Sequence, residues 1–223
     1  MGMFITLEGP DGAGKSTQAA LLVAALEHAG WSVRALREPG ASALGDRLRS
    51  LLLAADACGI SARAEALLYT AARAQLVVEA IEPALGGGAV VVSDRYADST
   101  LAYQGYGRGV PVSELRAVVR FAVGEYWPDL TFLIDVPVDI GLQRKAAAPG
   151  ARDDSWTRFE AETLAFHERV RAGYLDLAAG EPSRWIVLDG LAEARDVHAH
   201  IWREVQRRLP SAPPRRLLVE RPN

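Results

Sequence analysis

The stretch Gly9-Pro10-Asp11-Gly12-Ala13-Gly14-Lys15-Ser16-Thr17 fits the phosphate-loop pattern G-x-x-x-x-G-K-[ST]. It constrains the chain more than any other feature because its flanks have to fit as well. Before it runs Met3-Phe4-Ile5-Thr6-Leu7, an apolar run of the right length for a buried strand. After it, Ala19, Leu22, Val23, Leu26 and Ala29 recur at helical spacing, and Gly30 closes the segment. Strand, glycine loop and helix in that order are what the pattern needs to act as a phosphate site. Glycines let backbone N–H groups curl around phosphate oxygens with no Cβ in the way, and the helix N-terminus adds partial positive charge. In such a loop Lys15 reaches the β- and γ-phosphates of a nucleotide, and the Ser16 hydroxyl can ligate Mg²⁺.

The rest of the chain repeats the strand–helix alternation. Strand candidates follow at 31–36, 89–92, 130–135 and 185–188. Helical patterns lie between them. One is short, around Leu44, Leu48, Leu51 and Leu52; one is long, over 61–85, with Leu67, Leu68, Ala71 and Leu76 on its apolar positions. Others run over 113–123, 139–148, from 156 or 157 to 178 (with Phe159, Leu164, Val170 and Leu175 inward), and 192–209. Five strands alternating with helices predict an α/β fold, a five-stranded parallel sheet covered on both faces with right-handed crossovers. At 223 residues, with 49% hydrophobic and 24% charged, one sizeable domain over 1–209 is expected. The breaker-rich stretch within 145–158 reads as a small mobile lid, and 210–223, with four prolines and several arginines, as a mobile tail.

Composition removes several function classes. A net charge of −3 gives no overall basic field for nucleic acid. No apolar run reaches the length of a membrane span. Cys58 is the only cysteine, so neither an internal disulfide nor a cysteine metal cluster can form, in keeping with a reducing cytoplasm. Asp94, just after the apolar strand 89–92, has two readings: an acid that orients Mg²⁺ or its water, or an N-cap of the helix starting near Asp98. His28, His167, His198 and His200 all fall on helical patterns, as surface or core-edge residues.

Taken together, the motifs resemble those of the thymidylate kinase family, among the P-loop nucleoside monophosphate kinases. The resemblance runs from Phe4 to about Leu209. It rests on Leu7-Glu8 with the glycine loop, Arg37-Glu38-Pro39-Gly40, Tyr69-Thr70-Ala71-Ala72-Arg73-Ala74-Gln75, Asp94-Arg95-Tyr96-Ala97-Asp98-Ser99 with Ala102-Tyr103-Gln104-Gly105, and Arg158-Phe159-Glu160. It implies a P-loop NTPase fold and phosphoryl transfer from ATP·Mg²⁺ to dTMP, giving ADP and dTDP. The acceptor is a phosphate oxygen already ionised at neutral pH, so no general base is required. The task is to align two repelling phosphates and neutralise their charge.

The same resemblance implies the site. Residues Gly9 to Thr17 and Arg144 would bind ATP, with Ser16 and Asp94 serving the metal. Arg49 and Arg95 would hold the dTMP phosphate through bidentate forks. Asp11 would lie near the sugar 3′-hydroxyl and the metal. Tyr69 would stack on thymine, Arg73 donate to a thymine carbonyl, and Gln104 meet the base edge. Tyr103 would pack under the deoxyribose and disfavour a 2′-hydroxyl. Glu38, Pro39, Ser99 and Thr100 complete the acceptor set. The loop carries Gly12-Ala13 where some relatives have arginine, which resembles the bacterial type, in which the lid supplies the catalytic arginine. Arg144, Arg152 and Arg158 are the candidates, with Arg152 first because it lies in the flexible part. Tyr69 stands where phenylalanine is frequent, and Thr157 where aspartate is. Family members are usually homodimers, and the 61–85 helix, apolar on more than one stripe (Ala64, Leu67, Leu68, Ala71, Val77, Val78, Ile81), is the candidate face. Two other readings stand beside this one: a P-loop kinase for another nucleotide or nucleoside, and a nucleotide-binding switch without small-molecule chemistry. A GTPase switch is disfavoured because no Asn-Lys-x-Asp motif is present.

Overall fold

The computed structural model of the chain describes residues 2–54, 59–147, 159 and 162–210. Among them run five parallel strands, β1 (Met3–Glu8), β2 (Val33–Arg37), β3 (Val90–Asp94), β4 (Leu130–Asp135) and β5 (Trp185–Asp189), in the order β2-β3-β1-β4-β5. The helices are α1 (Lys15–His28), α2 (Ala43–Leu53), α3 (Ala62–Leu76), α4 (Glu82–Gly86), α5 (Ala97–Thr100), α6 (Val112–Val123), α7 (Val138–Ala147), α8 (Leu164–Gly180) and α9 (Ala194–Gln206). Two π-helical segments, Val77–Ile81 and Leu101–Gly107, continue α3 and α5. The expected α/β sheet covered on both faces is what forms.

Its centre is β1, buried along its whole length. Phe4 faces a core shared with Leu76, Ile81, Val91, Leu101 and Leu133. Met3, Ile5 and Leu7 face the other core, with Leu22, Leu26, Phe132, Ile134 and Ile201. A strand covered on both faces reads as a continuous apolar run, and each such side chain contributes roughly 1.5–3 kcal/mol by leaving water. Because β1 lies between β3 and β4, the strand order reverses there, and the carboxyl ends of β1 and β3 open onto a crevice.

Three expectations need correction. The helix expected from 156 or 157 starts at Leu164, where the Thr163 side chain accepts from the Phe166 N–H and so fixes the N-terminus. Phe159, which precedes it, and Val170 on it are buried as expected, but Leu164 and Leu175 are exposed. On α3 the inward face mixes polar with apolar: Glu65, Thr70 and Arg73 are buried with Ala66, Ala72 and Leu76, while Leu67 is 57% exposed and Ala71 points to solvent. Arg73 finds partners inside that an apolar pattern cannot reveal. His167, expected at the surface or the core edge, is buried. The lid beyond residue 147, apart from Phe159, and the tail beyond Pro210 lie outside the described residues.

Candidate active site

The glycine loop follows β1 at the crevice. Gly12 has φ +73°, and a Cβ there would stand 1.8 Å from the Gly141 carbonyl oxygen of α7, so the loop lies against α7 only as glycine. Gly14, also left-handed, precedes α1 and gives it no side-chain cap. The first N–H groups of α1 are therefore left for a ligand, and that end favours an anion. Lys15 is buried and donates to the Pro10 carbonyl at 2.7 Å. Burial pushes its ammonium down to about 8, Arg95 adding to the effect and Asp11, Asp94 and Glu8 opposing it. An arriving phosphate reverses that direction, because opposite charge favours the ammonium.

Ser16 Oγ donates to Asp94 Oδ2. Asp94 caps no helix, since the residue before α5 is Tyr96 and it makes no side-chain cap bond. The pairing of a hydroxyl with a carboxylate favours the first of the two readings for Asp94, as oxygen donors of this kind suit a hard cation.

Arg95, with φ +71° at the end of β3, is the hub. Its Nη2 meets Asp11 Oδ1 at 2.6 Å and Tyr103 Oη at 3.1 Å. Its Nη1 donates to the Gly9 carbonyl at 3.2 Å, Tyr174 Oη at 3.1 Å and Ser99 Oγ at 3.4 Å. Tyr103 Oη in turn donates to Asp11 Oδ2 at 2.9 Å. Burial would raise the Asp11 carboxyl, but Arg95, Lys15 and Lys145 hold it well below the usual range. Burial disfavours the Arg95 charge too, yet Tyr103, Tyr174 and Asp11 lift its pKa well above the ordinary value.

Beyond Arg95 the other acceptor candidates gather on α3, the loop after β2 and the π-helical segment. Arg73 is buried and donates through Nε to Glu38 Oε2 at 2.8 Å, through Nη1 to Thr100 Oγ1 at 2.9 Å and through Nη2 to the Tyr96 carbonyl at 3.0 Å. Glu38 Oε1 is buried with no hydrogen-bond partner among the described residues. Arg49, half-buried on α2, donates to the Pro39 carbonyl at 2.8 Å. The Tyr69 and Tyr103 rings lie 6.3 Å and 5.7 Å from the Phe159 ring. Gln104 is buried and its amide nitrogen donates to Glu65 Oε1 at 2.6 Å. Glu65 also receives Arg108, which reaches Glu162 at 2.5 Å.

On the other side of the loop lies a cavity of about 240 Å³, lined by Gly14, Thr17, Gln18, Arg144, Gly190 and Ala194 among others. Arg144 donates to the Gly190 carbonyl at 2.8 Å, and Gln18 Nε2 to the Ala194 carbonyl at 2.7 Å. The structure thus brings the loop residues, Asp94, Arg95, Ser99 and Tyr103 into one cluster, with Glu38, Arg73 and Thr100 in a second bonded set beside it. Arg144 stands apart at the cavity. Arg152 and Arg158 lie outside the described residues.

Reading the sequence missed Glu8, Tyr174, Lys145 and Gln18. Glu8 closes an apolar strand and Tyr174 sits mid-helix, and no local spacing links two residues 166 positions apart. Lys145 had one signal: it is the only lysine besides Lys15.

The sequence profile of the family described as thymidylate kinase matches residues 7–201. The thymidylate kinase of Thermomicrobium roseum is 50% identical over 205 residues, covering 92% of this chain and 95% of that protein. That of Deinococcus radiodurans is 49% identical over 207 residues, covering 93% and 98%. The crystal structure of a thymidylate kinase from Ehrlichia chaffeensis superposes with a TM-score of 0.73 at 33% identity, over 92% of this chain and 99% of that one.

Proposed function

The chain belongs to the thymidylate kinase family, and we propose on that premise how its residues divide the transfer of the γ-phosphoryl group of ATP to dTMP, giving ADP and dTDP. One observation carries the account. The Asp11–Arg95 pair, at 2.6 Å, ties the donor loop to the acceptor cluster, so the two phosphates are brought together on one rigid element.

In this reading the loop from Gly9 to Thr17 cradles the ATP phosphates, with Lys15 on the β- and γ-oxygens and Arg144 near the base in the adjoining cavity. Mg²⁺ would be held through Ser16 Oγ and, directly or through water, Asp94; the hydroxyl–carboxylate pair fits it, and the ion would neutralise phosphate charge. Arg95 and Arg49 grip the dTMP phosphate. Tyr69 stacks on thymine, and Tyr103, held by Asp11 and Arg95, blocks a 2′-hydroxyl. Arg73 makes three hydrogen bonds and its Nη2 also lies 2.7 Å from Glu38 Oε2, which leaves one N–H of the five, on Nη1, for a thymine carbonyl. Glu38 Oε1, without a hydrogen-bond partner among the described residues, supports a ligand-facing role beside Pro39. Ser99 and Thr100, which also hold Arg95 and Arg73, complete the acceptor set, and Gln104 would meet the base edge. Arg152 is assigned to the transition-state charge from the lid.

We also place the enzyme in the cytoplasm, in keeping with its single cysteine, and assign it a homodimer through α3 and α6. Val77 and Ile81 are buried within the protomer, but Leu67 and Ala71 on α3, Val78 on its π-helical continuation and Phe121 on α6 remain exposed, Phe121 by 92%. No helix among the described residues is long and apolar enough to cross a membrane.

The test is a coupled assay for ADP formation with ATP and Mg²⁺, offering dTMP, dUMP, UMP, dCMP, dGMP and thymidine separately. Preference for dTMP with UMP poor is the expected result and carries the base and sugar assignments. Faster turnover of another acceptor overturns those assignments, and ATP binding without turnover of any acceptor leaves a binding module.

A further inference from the structure

Glu8 is fully buried at the end of β1, and among the described residues each hydrogen bond its carboxylate accepts leads back to Arg95. Oε1 accepts from the Tyr96 N–H at 2.7 Å, the peptide that follows Arg95. Oε2 accepts from Ser99 Oγ at 2.7 Å and Tyr174 Oη at 2.9 Å. Those two hydroxyls, 2.8 Å apart, are the ones that receive Arg95 Nη1. A guanidinium only donates, so both oxygens must turn lone pairs toward it. They can do so while their protons point to an acceptor behind them, and the Glu8 carboxylate is that acceptor. Asp11 serves Tyr103 in the same way on the Nη2 side.

We propose that Glu8 is a positioning residue for the acceptor phosphate: it sets the hydroxyl orientation of Ser99 and Tyr174 and the backbone after Arg95, and thereby aims the Arg95 guanidinium. The inference rests on the reading of Arg95 as a ligand of the dTMP phosphate. An amide in place of the carboxylate cannot do this work. The Tyr96 N–H holds an oxygen at the Oε1 position, which leaves the amide NH₂ facing Ser99 and Tyr174. Both hydroxyls then accept from behind and turn protons toward a cation.

The surroundings make the carboxylate titratable. Burial, with Asp98, pushes Glu8 up to about 7, while Arg95, Ser99 and Tyr174 oppose this. Lys15 from α1 and Arg73 from α3 also face it. Asp98 is itself paired with Arg184 at 2.7 and 3.0 Å.

The experiment measures KM for dTMP, KM for ATP and kcat from pH 5.5 to 9 in wild type, Glu8→Gln, Arg95→Ala, Tyr174→Phe and Ser99→Ala/Tyr174→Phe, each checked for folding by circular dichroism. Glu8→Gln is expected to raise KM for dTMP about tenfold and leave KM for ATP within about twofold. The ratio of wild-type to Glu8→Gln kcat/KM for dTMP should climb as pH rises through about 7, the value to which Glu8 is pushed; taking the ratio cancels the ionisation of the substrate's own phosphate near ~6. Adding Glu8→Gln to the variant lacking both hydroxyls should cost nothing further. Equal effects on both substrates, a flat ratio, or additive losses overturn the inference. If Glu8→Gln does not fold, Tyr174→Phe decides: a rise of about threefold in KM for dTMP alone supports it, and no change overturns it. Arg95→Ala separates the two levels. If it leaves dTMP kinetics unchanged, the phosphate reading fails; if it raises KM for dTMP while Glu8→Gln does not, only the role of Glu8 fails.

Discussion

Lys15 is a cation in a place that disfavours cations. It is buried, its one described hydrogen bond goes to a neutral carbonyl, and its ammonium is pushed down to about 8. Such a group gains little from the folded chain and much from an arriving polyphosphate. Lys15→Ala is therefore expected to lower kcat by roughly 10²–10³-fold, the loss typical of one charge-stabilising donor, with the far-ultraviolet circular dichroism of the wild type. Loss of the folded spectrum would show that Lys15 is structural instead. Residues like this one were legible in the sequence because the chemistry of a phosphate loop is written at fixed local spacing. Arg95 and Asp94 were nearly so, since they end an unmistakable strand. Glu8 and Tyr174 were not: their meaning comes from assembly, which sets β1 beside β3 and packs α8 on the Leu101–Gly107 segment, so that Tyr174 reaches Glu8.

Among the elements, α3 carries the clearest lesson. Its apolar stripe was the obvious inward face, and the structure keeps Leu76 inside but turns Leu67 and Ala71 out. Glu65 and Arg73 point in because each has a partner there, in Gln104 and Glu38, while Thr70 satisfies its buried hydroxyl on the Ala66 carbonyl of its own helix. A site-lining helix inverts the usual pattern, and periodicity alone cannot detect the inversion. The strands had no such conflict and were read nearly to the residue. The π-helical segment Leu101–Gly107 was readable as polar-ligand chemistry but not as geometry, since five successive buried residues from Leu101 to Gly105 follow from packing between α6 and α8. The outward stripe needs a cover. Arg63 of α3 reaches Glu114 of α6 at 3.4 Å, so the two helices form one surface, on which Leu67, Val78 and Phe121 stand exposed. A second copy meeting that surface would put Leu67 in an apolar interface, where a carboxylate is costly. Leu67→Glu should therefore move the mass by light scattering from twice 24.0 kDa to 24.0 kDa. A wild-type monomer at micromolar concentration, or a variant that stays dimeric, removes α3 from the interface.

At the scale of the whole molecule, the active site stores instability that pH can read out. Glu8 keeps its proton in the folded chain until about pH 7, whereas a carboxyl in the unfolded chain releases it near 4.5. Between those values unfolding releases a proton, so this residue's contribution to stability falls as pH rises from 4.5 to 7 and is level above that. The span of about 2.5 pH units between these two values corresponds to roughly 3 kcal/mol, at about 1.4 kcal/mol per unit. Asp11 runs the other way: Arg95, Lys15 and Lys145 hold its carboxyl low, so its contribution is present above about 3.8 and lost only in stronger acid. The two windows do not overlap, which makes Glu8 separable. Glu8→Gln removes the titration and keeps the shape. Relative to wild type, its Tm should rise between pH 5 and pH 8 by roughly 5–10 °C, given a few degrees per kcal/mol for a chain of this size. The comparison is a difference between two proteins at each pH, so titration elsewhere in the chain cancels. Parallel Tm profiles for the two proteins across that range would mean that Glu8 is ionised without penalty in the folded chain. The expected divergence would mean that the carboxylate which aims Arg95 is kept at a thermodynamic cost, and kept because an amide cannot orient the two hydroxyls.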